Sequence, residues 1–300
     1  MMRPGDTLHS QGVGMNQDNA RPMTGRTVVI TGGSSGIGQA TAERLAQLGA
    51  TVVITGRDPA RTRDAARQIR TSTGTSVQAL TADLSDQAQV RQLAANLLAA
   101  LPQIDVLVNN AGGYWNTRHI TADGLERTFA VNYLAPFLLT ALLLDRIRHS
   151  SDGRVVNVSS NAQRLGRIDF DDLQGEDHYS GARAYNQSKL AIVLFTHELA
   201  RRLTATTVTA NALHPGVVRT AFGAEDPGRT QRLLVPLARP FMRTSDSGAA
   251  TSVLLASNPE LNSVTGQFFA GGRARRSSKR SYDDQDAQRL WDASETLVGL

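Results

Sequence analysis

A tyrosine and a lysine stand four residues apart at Tyr185 and Lys189, within the stretch AYNQSKLA. On a helix that spacing puts both side chains on one face. A free phenol has a pKa of about 10 and exchanges protons poorly near neutrality. A neighbouring ammonium favours the phenolate and is expected to lower that value, making the tyrosine a usable general acid or base. The spacing is common on helices, so the pair gains meaning only from its surroundings.

A second constellation is TGGSSGIG, residues 31–38. Gly32, Gly36 and Gly38 are small enough to let backbone approach a pyrophosphate. Ser34, Ser35 and Ile37 complete the turn. The N-terminus of the helix that follows offers free N–H groups and a positive dipole end to phosphate charge. No Gly-Lys-Ser/Thr follows, which disfavours an ATP-type phosphate loop. A third feature is Gly56-Arg57-Asp58. In dinucleotide folds an acid at the end of the second strand binds the ribose 2′-hydroxyl of NAD. Here glycine holds that place and Arg57 follows, and a guanidinium suits a 2′-phosphate. This favours NADP(H) and leaves NAD(H) open through Asp58.

These residues need a scaffold, and the chain supplies alternating strand-like and helix-like segments. TVVIT occurs at 27–31 and again at 51–55; further apolar runs lie at 76–83, 104–112, 153–160, 207–216 and 266–272. Between them, amphipathic stretches follow the glycine turn and occupy about 59–70, 86–101, 121–149 (with a break near Asn132) and 181–204. Continuous apolar strands alternating with helices call for a doubly wound α/β fold, a Rossmann-type parallel sheet of about seven strands with helices on both faces. Ligands bind outside the carboxyl ends of such strands. A single catalytic domain is expected over 25–300, after a flexible leader at 1–24.

The 32 basic and 27 acidic residues of the 300 give a net charge of +5, too mild to imply a nucleic-acid partner. Cysteine is absent, which removes disulfides and thiolate nucleophiles and suits a cytoplasmic setting. No metal-ligand spacing is found. The best apolar run, Leu134 to Leu144, is short of the ~18 residues that span a bilayer, so no transmembrane segment is expected. The five basic residues of GGRARRSSKR (271–280) read as a solvated loop.

Taken in order, the glycine turn, Asp83-Leu84, Asn109-Asn110-Ala111-Gly112, Asn132, and Ser160 with Tyr185-x-x-x-Lys189 resemble the motifs of the short-chain dehydrogenase/reductase family. GRVVNVSSNAQRLGRIDFDDL and AQRLWDASETLVGL are similar to the retinol dehydrogenase-like branch. The resemblance implies that Asp83 holds the adenine with Leu84 behind it, and that Asn110, Ala111 and Gly112 lie along the cofactor. It implies that Lys189 binds the nicotinamide ribose and that Ser160, rather than Ser159, holds the substrate oxygen beside Tyr185. Asn132 would feed a proton chain at its kink, although a satisfied core amide is the competing reading. Pro215, Gly216, Val218 and Thr220 would lie near the nicotinamide, and residues 220–243 form a candidate lid. The branch carries a similar insertion to the 24 residues between Ser160 and Tyr185. It often has an N-terminal membrane anchor, which is not expected here.

The implied activity is hydride transfer between NADP(H) and a carbonyl or alcohol substrate of apolar character, with a homo-oligomer left open. The rivals are a non-catalytic dinucleotide-binding sensor or scaffold and an NAD-dependent sugar-nucleotide epimerase. The close spacing of the last two glycines in the turn disfavours the epimerase.

Overall fold

The computed structural model describes residues 21–216, Val218, Asp226 and residues 244–300. Eight strands build one sheet: Thr27–Ile30 (β1), Thr51–Gly56 (β2), Val77–Thr81 (β3), Val106–Asn109 (β4), Arg154–Val158 (β5), Thr209–His214 (β6), Phe268–Ala270 (β7) and Arg273–Arg275 (β8). Their order is β3-β2-β1-β4-β5-β6-β7-β8. β1 to β7 pair in parallel, and β8 returns antiparallel to β7. The described helices are Gly36–Gln47 (α1), Pro59–Thr73 (α2), Gln87–Ala100 (α3), Arg127–Arg148 (α4), Gly181–Arg202 (α5), Ser245–Ser257 (α6) and Asp284–Val298 (α7).

The strands are apolar on both faces because both faces are covered. Val28 and Ile30 of β1 join a cluster with Leu45 of α1, Ile69 of α2 and Leu255 of α6. Val29, pointing the other way, joins Leu93 of α3, Phe137 of α4, Leu194 of α5 and Leu290 of α7. Period-two alternation thus feeds two cores from one strand. The direction of strand order reverses between β1 and β4, which opens a crevice at their carboxyl ends.

Local chemistry sets the helix ends. Asp58 caps α2 by accepting from the Arg61 N–H at 2.9 Å, Pro59 opens the helix, and Gly74 closes it at φ +70°. The break expected near Asn132 is a π-turn over Ala130–Leu134 inside α4. α4 is long and apolar enough to cross a membrane by length and composition, with a mean hydropathy of 1.5. The shorter apolar run read from sequence understated this. Within the fold 72% of that helical window is buried, so it serves as a core helix.

Three differences from the sequence-based expectation stand out. Met23, expected within the leader, is buried in the core and its N–H donates to the Leu48 carbonyl at 2.9 Å. Part of the supposed solvated loop is β8, whose backbone completes a hairpin with β7. α6 and α7 were not assigned from sequence. Thr220 and the rest of the candidate lid at 220–243, apart from Asp226, lie outside the described residues.

Candidate active site

The glycine turn leaves β1 and enters α1. Gly32 and Gly36 adopt φ of +66° and +55°, a region that favours glycine. At Gly38 a Cβ would come within 2.2 Å of the Gly32 carbonyl oxygen, so only glycine lets helix and turn close. The turn is bound to the end of β4. Asn110 donates its amide to the Thr31 carbonyl at 2.8 Å, and the Thr31 hydroxyl accepts from the Asn110 and Ala111 N–H groups, each at 3.0 Å.

Around this junction lies a cleft of about 490 Å³. Gly32, Ser34 to Gly38, Asp83, Leu84 and Asn110 to Gly112 line it, as does Arg57. Arg61, Gly113 and Arg127 also line it and were missed from sequence. Arg61 had a signal: it is four residues past Arg57 and opens α2. Asp83 is part of the cleft and also closes a turn, accepting from the Ser85 N–H and hydroxyl at 2.9 and 2.7 Å. At Gly56 a Cβ would meet Thr62 Oγ1 at 2.4 Å and Ser34 Oγ at 2.9 Å. A side chain at the place where an NAD-type acid would stand would have to displace the Thr62 and Ser34 hydroxyls. Asp58 is engaged as the α2 cap.

The second group sits at the end of β5 and on α5. The Ser160 hydroxyl lies near enough to the Tyr185 phenol to favour its ionised form, and it accepts from the Ala162 N–H at 3.2 Å. Ser159 faces the other way and donates to the Lys189 carbonyl at 2.8 Å. Lys189 is buried; its Nζ donates to the Val158 carbonyl at 3.1 Å and lies 5.7 Å from the centre of the Tyr185 ring. Burial lowers the Lys189 amine to about 8. Burial also raises Tyr185 above the ordinary phenol value, and the neighbouring Ser160 hydroxyl opposes that rise. The expectation of a phenol lowered by its lysine is thus reversed. Desolvation dominates at both groups and weakens the lysine's hold on a positive charge.

Asn132 occupies the π-turn and is 2% exposed. Its Oδ1 accepts from the Gly113 N–H at 2.8 Å, and its Nδ2 donates to the Gly113 carbonyl at 2.9 Å and to Ser188 Oγ at 3.1 Å. The amide is satisfied, and it pins the Gly112–Gly113 backbone to α4. That backbone joins the two groups of residues: a Cβ on Gly112 would be 3.0 Å from Asn132 Oδ1 and 3.5 Å from Lys189 Nζ. Tyr114, on the cleft wall, sets its ring edge against Tyr185 with centroids 5.7 Å apart.

At the end of β6, His214 Nδ1 accepts from the Asn161 N–H at 3.2 Å. Pro215 follows β6 and Gly216 turns at φ +92°. Val218 lies against α6 near Ile37, since a Cβ on Gly248 would meet Val218 Cγ2 at 2.7 Å and Ile37 Cγ1 at 3.2 Å. The 490 Å³ cleft itself is walled by neither Pro215, Gly216 nor Val218. The insertion before Tyr185 folds onto α4 and α5: Gln187 Nε2 donates to the Leu173 carbonyl at 3.0 Å, and Tyr179 donates to Trp115 and Glu126 at 3.1 and 3.2 Å.

With this geometry in hand, comparison with known proteins is direct. The family model described as short chain dehydrogenase matches residues 26–229. The chain is 41% identical to retinol dehydrogenase 14 of Mus musculus, covering 93% of this chain and 87% of the other. It is 44% identical to retinol dehydrogenase 12 of Homo sapiens, covering 93% and 88%. Among solved structures, an uncharacterized protein of Mycobacterium Paratuberculosis is similar at a TM-score of 0.75 and 36% identity, covering 92% and 94%. A protein of Escherichia coli CFT073 complexed with NADPH is similar at 0.70 and 26% identity, covering 85% and 99%.

Proposed function

The chain belongs to the short-chain dehydrogenase family and is an oxidoreductase acting on alcohol or carbonyl groups, and from that premise we propose that it transfers hydride between NADP(H) and an apolar carbonyl or alcohol. The observation that carries this reading is Lys189 Nζ 5.7 Å from the Tyr185 ring centre, with Ser160 beside the phenol, joined through Gly112 to the glycine-lined cleft. NADP(H), when bound, would supply the hydride. The cleft fits it: Gly32, Ser34, Ser35, Gly36, Ile37 and Gly38 would hold the pyrophosphate, and Asp83, Leu84, Asn110, Ala111 and Gly112 the rest of its length.

Arg57 and Arg61 favour a 2′-phosphate, and glycine at position 56 supplies no acid for NAD. The E. coli relative with NADPH supports the same choice. Lys189 would bind the nicotinamide ribose, and Pro215, Gly216, Val218 and Thr220 would flank the ring.

In the reducing direction Ser160 holds the substrate oxygen and the Tyr185 hydroxyl delivers its proton there. The phenol is neutral and so carries the proton this direction requires. Lys189 stabilises the phenolate left behind. Asn132 holds Gly112 and Gly113 in place and, through Ser188, borders the tyrosine's own turn of helix. A cytoplasmic setting and an apolar substrate complete the proposal. The test mixes protein with NADPH or NADH and a panel of aliphatic, aromatic and retinoid aldehydes, following loss of reduced nicotinamide absorbance. Turnover with NADPH is expected, falling at least a hundredfold in Tyr185→Phe while NADPH binding persists. Binding without turnover on every aldehyde would instead favour a sensor.

A further inference from the structure

The basic segment after β7 plays no part in hydride transfer as described, yet it touches the turn that carries Ser160. That turn runs over Asn161–Leu165 and ends at Gly166. The Arg164 guanidinium donates to the Arg276 carbonyl at 2.9 Å. Gln163 Oε1 accepts from the Ser278 N–H at 3.0 Å, and the Arg280 guanidinium donates to the Gly166 carbonyl at 2.9 Å. The strap is itself fixed to α5, where His197 Nδ1 donates to the Ser281 carbonyl at 2.6 Å and stacks on Tyr282.

On its other side the turn presses on α5 next to the tyrosine. A Cβ on Gly166 would lie 2.5 Å from the Asn186 carbonyl oxygen and 2.7 Å from Leu190 Cβ. The turn is therefore held between the Tyr185–Lys189 stretch and the strap. Ser160 is its N-cap, so any tilt of the turn moves the Ser160 hydroxyl relative to the phenol.

We propose that Gln163, Arg164 and Arg280 are positioning residues, which with the strap at 276–282 hold the Ser160 hydroxyl on Tyr185. This rests on the reading of Ser160 and Tyr185 given above. Both arginines are exposed and form no ion pair among the described residues, so removing them leaves the core intact. Misplacement of a reacting group by a fraction of an ångström is enough to slow a positioned reaction by roughly tenfold.

The experiment is a double-mutant cycle on the full chain, using NADPH and the fastest aldehyde of the panel. Arg164→Ala/Arg280→Ala is expected to lower kcat roughly tenfold, with the KM for NADPH and the melting midpoint little changed. In a Ser160→Ala background the same pair is expected to add no further loss. Arg164→Lys/Arg280→Lys, which keeps a donor at each site, is expected to recover most of the rate. Gln163→Leu gives an independent check and is expected to lower kcat too, because its amide nitrogen has no partner among the described residues and only one bond to the strap is removed.

An equal loss in both backgrounds would overturn the proposal, as would an unchanged kcat in the arginine pair while Ser160→Ala is slow. If Ser160→Ala alone were as fast as the parent, the role of Ser160 would fall, and the positioning role with it.

Discussion

Tyr185 and Lys189 show how burial changes the meaning of a spacing. The i, i+4 interval places both on one helix face, but only their depth sets their protonation. Lys189 is held down to about 8 against 10.5 for a free lysine. Between those values the unfolded chain binds more proton than the folded one, so this group's contribution to stability rises with pH. Below about 8 the full burial penalty is present. We therefore expect Lys189→Met to gain on the parent most at pH 7 and to lose that advantage between pH 8 and 10. The slope should approach about 1.4 kcal/mol per pH unit. Denaturant titrations of both proteins across that range measure it; a pH-independent difference would show that the amine is not desolvated.

At the scale of elements, α7 is the clearest case of a helix whose place depends on partners far away in sequence. Trp291 packs against Phe137 and Phe195 with centroids at 5.0 and 5.8 Å, and the Arg202 guanidinium lies 4.0 Å over its ring. Tyr133 on α4 hydrogen-bonds Ser294 at 2.7 Å. Trp291→Ala removes a partly buried aromatic from three contacts and should lower unfolding free energy by about 3 kcal/mol in urea. A loss below about 0.5 kcal/mol would mean that α7 is not docked as described. The helical period of the buried Ala287, Leu290, Ser294 and Val298 was present in the sequence, but its polar-rich company hid it. β8 was hidden for a different reason. Arg273 and Arg275 lack any strand-like pattern, and the hairpin with β7 alone makes them a strand. By contrast the π-turn at Asn132 was foreshadowed, because asparagine is a poor helix former in the middle of an apolar helix.

For the molecule as a whole, the switch between β1 and β4 decides where everything meets. Any ligand that binds only the folded cleft must stabilise the entire domain. Saturating NADPH should therefore raise the melting midpoint by about 5 °C, NADH by much less, and Arg57→Ala should narrow the gap between them. Equal shifts with both cofactors would remove the case for a 2′-phosphate site.

By itself the sequence determined the α/β class and the glycine turn, because these depend on short-range periodicity and residue type, while its family resemblance nominated Ser160, Tyr185 and Lys189. Tertiary structure alone decided that a side chain at position 56 would crowd the Thr62 and Ser34 hydroxyls, that Asn132 spends its amide on Gly113, that Ser159 turns away, and that a distant strap touches the Ser160 turn. Each of these is a distance between residues remote in the chain. Such distances are set by how helices pack across a twisted sheet, and local residue pattern carries no record of them.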